Sequence, residues 1–60
     1  MMILELDLRG FNVLRFIKSE RIDLSFEPHH ILVSYSNPKG QTIVEGFLAT
    51  SVVNFKLREE

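Results

Sequence analysis

Ile31-Leu32-Val33-Ser34-Tyr35-Ser36-Asn37-Pro38-Lys39-Gly40-Gln41-Thr42-Ile43 carries the strongest local signal in the chain. Proline presets φ for the second position of a type I turn. Asparagine suits the first, and glycine accepts the left-handed conformation that follows. The spacing predicts a hairpin with a type I turn and a one-residue glycine bulge. Asn37 then lies beside Gln41, and Tyr35 lies opposite Ile43. Gln41 to Leu48 is the returning strand, and Gly46 inside it predicts a bulge or bend.

Outward from the hairpin, alternation with a period of two recurs almost throughout. Ile22, Leu24 and Phe26 alternate with Asp23, Ser25 and Glu27, and Pro28 ends that strand because it cannot donate to a ladder. Met2, Leu4, Leu6 and Leu8 share one face of an opening strand, with Glu5 and Asp7 on the other. Arg9-Gly10 reads as a turn. Val53, Phe55 and Leu57 alternate with Asn54, Lys56 and Arg58 in a closing strand. The segment Phe11 to Lys18 reads two ways. As a strand it sets Leu14 and Phe16 against Phe11, Val13 and Ile17. As a helix over 12–19 it could be capped by Asn12, but it lacks alanine and spans only about two turns. The strand is the preferred reading. Val, Ile and Thr total twelve residues and Ala occurs once, which favours strands overall.

Five or six short strands at spacings of about ten residues predict an all-β fold. The expected form is a small antiparallel SH3-like barrel or curled sheet, the alternative being α+β with the short helix at 12–19. With 60 residues, the chain is one domain over 1–60. The absence of cysteine rules out disulfide scaffolds and zinc fingers. Hydrophobic residues make up 45% of the chain and the net charge is −1, which excludes a disordered chain. No leader pattern or span is expected, and with no cysteine the default compartment is cytoplasmic.

A chain of this size buries about 6,000 Å² on folding, an area whose hydrophobic gain roughly equals the entropy cost of ordering it. Chains this short ordinarily need a staple. With no disulfide and no evident metal site, self-association or docking on a larger protein is the expected route. Several strands also carry apolar residues on both faces, as at Phe47-Leu48 and Val52-Val53. The expected function is therefore a small non-catalytic assembly module acting through protein–protein contacts, as a homo-oligomer or on a larger partner. The contact residues expected from the sequence are Phe11, Leu14 and Phe16.

The alternative is a nucleic-acid-binding barrel. Arg9, Arg15, Lys18 and Arg21 cluster around Phe11 and Phe16, the pairing of cations and stacking rings that single strands use. The balanced net charge speaks against it.

No enzyme is expected. Serines 19, 25, 34, 36 and 51 lie in no nucleophile-elbow setting, and the isolated glycines make no phosphate-binding loop. His29 and His30, near Asp23 and Glu27, have the chemistry of metal ligands. Neighbouring strand residues point to opposite faces, so the pair reads as solvent-facing histidines, and no metal or cofactor is expected. Glu45 shares a face with Val33, Tyr35, Ile43 and Phe47 in the predicted register. One reading is a functional buried acid; the preferred ones are that a bulge rotates it outward or that it is an inward charge guarding an edge strand.

Leu6-Asp7-Leu8-Arg9-Gly10 resembles the opening strand of the Smr domain, a nucleic-acid-processing family. The resemblance covers five residues of sixty. In that family a helix follows the glycine and an H-G-x-G motif comes later. The motif is absent here, and no function or residue is carried over.

Overall fold

The computed structural model describes residues 1–60. It is all-β, with six strands: β1 (Met2–Leu8), β2 (Asn12–Lys18), β3 (Ile22–Phe26), β4 (His30–Ser36), β5 (Thr42–Leu48) and β6 (Val52–Glu59). A 3-10 turn, Ala49–Ser51, joins the last two. The strands form two antiparallel three-stranded sheets, ordered β2-β1-β6 and β3-β4-β5. The sheets are packed on each other but not closed into a barrel, so the curled-sheet form of the expected fold is the one adopted.

Residues 12–19 form no helix. β2 pairs along its whole length with β1, from Leu8 opposite Asn12 to Met2 opposite Lys18. A two-turn helix cannot compete with that ladder, because its own hydrogen bonds scarcely offset the cost of nucleation. At the turn, Gly10 and Phe11 have φ of +83° and +63°, the positive pair found in a type I′ turn. Glycine takes this conformation freely, whereas phenylalanine is strained in it.

The 37–40 hairpin forms in the predicted register. Tyr35 lies opposite Ile43, and the main chains of Asn37 and Gln41 are joined, the Asn37 N–H donating to the Gln41 carbonyl at 2.9 Å. Asn37 Oδ1 accepts from the N–H groups of Lys39 and Gln41, at 3.0 and 2.9 Å. Gly40 takes φ of +79°.

Gly46 makes no bulge. The β4–β5 register is continuous through it, and it stands opposite Leu32. A Cβ there would lie 3.3 Å from Leu32 Cδ2, so the glycine makes room for that side chain. The irregularity falls elsewhere, where Asp7 pairs with Asn54 but Leu8 pairs with Val52. Val53 is the extra residue. Val52 consequently packs on the core while Val53 is exposed, unlike the simple alternation of 53, 55 and 57.

The core lies between the sheets. Leu4, Leu6, Phe16, Ile22 and Val33 form its buried centre, with Met2, Leu8, Leu24, Tyr35, Phe47 and Val52 packed around it. On the outer side, Ile3 is also buried, between its neighbours Ile17 and Arg58. The Arg58 guanidinium reaches Glu5 at 3.3 Å, which lays its stem along the sheet.

Candidate functional site

Only seven residues are buried. The accessible surface is 4469 Å², about 10% above the scaling for a chain of this mass. The main chain makes 32 internal hydrogen bonds, where a domain of this size ordinarily makes about 40. Both departures have one source. Four of the six strands are sheet edges, and the two sheets meet along two seams of different character.

The first seam lies between β2 and β5. The Phe16 ring stands 6.3 Å from Phe47, edge-on, and 5.9 Å from Tyr35. Polar groups close this seam outside the rings. Tyr35 Oη donates to Glu45 Oε2 at 2.9 Å, and Lys18 Nζ sits 4.1 Å from the centre of the Tyr35 ring. Glu45 therefore points inward on an edge strand, as one of its sequence readings holds. Its hydrogen bond, followed by partial desolvation and the carboxylate charge, raises the Tyr35 hydroxyl above the ordinary value of 10.0.

The second seam lies between β3 and β6, and it is apolar and open. Phe26 and Phe55 meet with ring centres 5.5 Å apart, yet they are 59% and 42% exposed. Leu57 is 40% exposed beside them. Toward the chain termini the seam widens into a cleft of about 700 Å³ lined by Met2, Ile22, Leu24 and Leu57. The Arg21–Asp23 ion pair at 2.6 Å stands on its rim. Apolar side chains lining a gap between two unpaired strand edges form a surface suited to another strand.

The three contact residues expected from the sequence are separated by the fold. Phe11 is wholly exposed at the tip of the β1–β2 turn, beside a groove that also includes Val13 and Val53. Leu14 lies at the margin of exposure on β2. Phe16 is 8% exposed and belongs to the core, because the Phe16-bearing face of β2 is the one turned to the opposite sheet. The residues the sequence reading missed are Phe26, Phe55 and Leu57. Their alternation marks them as inward-facing; only the placement of β3 and β6 at facing edges leaves them uncovered.

The four cations of the nucleic-acid reading do not come together. Arg9 Nε donates to the Thr50 carbonyl at one end of the β1–β2 hairpin. Arg15 faces outward beside Glu5, 3.5 Å away. Lys18 turns inward over Tyr35 at the other end, and Arg21 pairs with Asp23. His29 and His30 are exposed where β4 begins, and the His29 carbonyl accepts from the Ala49 N–H at 2.9 Å. No three His, Cys, Asp or Glu side chains are grouped to hold a metal ion. No helix is long and apolar enough to cross a membrane.

No family model, no curated protein and no solved structure matches the chain.

Proposed function

We propose that this chain is a small non-catalytic assembly module, acting in the cytoplasm through protein–protein contact and first of all with copies of itself. The observation that carries the reading is the open β3–β6 seam, where Phe26, Phe55 and Leu57 remain exposed between two unpaired strand edges. Covering these side chains adds apolar burial to a chain whose own core has only seven buried residues. Phe11 lies apart from this seam, and its fully exposed ring on a strained backbone favours contact with a larger protein and not with a second copy.

The test is solution mass by light scattering on a sizing column, over a range of protein concentrations, at low and high salt. Apolar association gives a mass of at least twice the 7.0 kDa chain, insensitive to salt. A monomer at all concentrations contradicts the reading. If nucleic acid were the ligand, a monomer would bind it with an affinity that falls steeply with salt, and Arg15→Ala would weaken it.

A further inference from the structure

We propose that two copies of this chain pair β6 against β6, antiparallel across a two-fold axis at Phe55, joining two three-stranded sheets into one of six strands. This rests on the self-association reading above and gives it an edge, a register and a partner.

The main-chain geometry makes the edge available. The Met1 amino group donates to the Glu60 carbonyl at 2.9 Å, and the Glu60 N–H donates back to the Met1 carbonyl at 2.8 Å. Met1 and Glu60 are thus a mutually bonded pair, and in an antiparallel ladder such pairs recur at every second residue. Arg58, Lys56 and Asn54, opposite Ile3, Glu5 and Asp7, therefore spend their main-chain groups on β1. Phe55, Leu57 and Glu59 direct theirs to the free edge. These are also the residues on the seam side of the sheet. A strand added there is bonded by the same residues whose side chains it covers.

The other three edges are guarded. β5 carries Glu45 turned inward in mid-strand, β3 has five residues followed closely by Pro28, and β2 faces a seam that Lys18 already closes over the Tyr35 ring. β6 has eight residues, the longest strand of the six, with no proline or glycine; its one inward charge, Glu59, is at its end.

A second copy meets this edge without opposed like charges when Phe55 lies on the axis, and steps toward the C-terminus lose that fit. With Phe55 on the axis, Phe55 faces Phe55 of the second copy, and Leu57 faces Val53 of the second copy. Lys56 faces Asn54, and regular pairing ends at the bulge beyond it, so no like charges stand opposite each other. Moving the register by one step of two residues toward the C-terminus sets Lys56 against Lys56. A second step sets Lys56 against Arg58 and Phe55 against Glu59. Like charges directly opposed on paired strands are destabilising. Phe26, already in contact with Phe55, brings a further ring from each copy, so four phenylalanines gather around the axis.

The chain has no cysteine, so single introduced cysteines report the register cleanly. Asn54→Cys and Lys56→Cys alter exposed outward positions and leave the seam intact. In the proposed register they face each other in a pair whose Cα atoms are about 4.5 Å apart, within disulfide reach. Each faces its own copy only diagonally, at about 7–8 Å, beyond it. An oxidised equimolar mixture, read by mass spectrometry, should give the mixed disulfide in about tenfold excess over either homodisulfide. Phe55→Cys alone should give a homodisulfide. A dominant Lys56→Cys homodisulfide overturns the register. A dimeric mass with none of these disulfides overturns pairing through β6 while self-association stands, with a strand of another face as its site. A monomeric mass with no disulfide overturns both.

Discussion

Between β2 and β5 the two sheets are shut by three aromatic rings, a tyrosine–glutamate hydrogen bond and a lysine over the tyrosine ring. Between β3 and β6 they are left open, with two phenylalanines in contact and both half in water. The seams are built from similar strands and similar apolar patterns. What differs is how each edge ends its inward face: Lys18 and Glu45 cap one seam, while Phe26, Phe55 and Leu57 leave the other uncapped. A polar cap satisfies an edge with its own side chains and discourages further strands. An uncapped apolar edge gains by being covered.

The largest expected effect sets one phenylalanine of each seam against the other. Phe16→Ala removes a buried ring and should cost about 3–5 kcal/mol, enough to unfold most of so small a domain. The circular dichroism melt should lose its cooperative transition. Phe26→Ser, at an exposed ring, should leave the fold in place and instead reduce the solution mass to that of a monomer. Comparable destabilisation by both substitutions would erase the distinction between the seams.

Glu45→Val tests the cap. It leaves the Tyr35 hydroxyl without its acceptor and turns β5 into a second unguarded edge. The expected outcome is higher-order association or aggregation on the sizing column, where the wild type gives one defined species. Unchanged behaviour would mean that the inward carboxylate guards nothing.

Phe11 lies outside both seams and serves as a control. Its φ of +63° strains a non-glycine residue, so Phe11→Gly should stabilise the chain by about 1 kcal/mol. That corresponds to a rise in Tm of about 4–8 °C for a domain of this size. The self-associated mass should not change. A fall in Tm would show that the ring contributes packing in the folded chain.

The smallest effect is spectroscopic. Tyr35 is the chain's single tyrosine, so tyrosinate absorbance reports it alone. Its midpoint should lie above the ordinary 10.0, because Glu45 holds the hydroxyl protonated, and Glu45→Gln should bring it back toward that value. The folded state keeps this proton more tightly than the unfolded chain does. The contribution to stability is therefore fully present below pH 10 and is lost as pH rises above 10 through the folded midpoint. A midpoint at or below the ordinary value would contradict the hydrogen bond that caps the seam.

The strands were legible in the sequence because each problem there was local. Alternation marks Met2–Leu8 and Ile22–Phe26, and Asn37-Pro38-Lys39-Gly40 fixes a turn whose chemistry needs no distant partner. Gly46 misled because a glycine in a strand signals either a bulge or a close neighbour, and Leu32 supplies the neighbour from another strand. The bulge at Val53 was hidden because two adjacent valines fit either face. Contact residues were least legible. Phe16 and Phe55 have the same alternation pattern, and only the packing of the sheets decides which is covered. Phe11 reads in the sequence as a strand residue beside Val13 and Ile17, and only the turn geometry, with its positive φ, puts it at a tip.

Self-association, as proposed above, runs through the open seam and not the capped one. Amide spectra recorded on serial dilution test this directly. Concentration-dependent shifts are expected at Phe26, Phe55 and Leu57, with Phe16, Tyr35 and Phe47 unmoved. Shifts gathered at the β2–β5 seam, or no dependence on concentration at all, would contradict it.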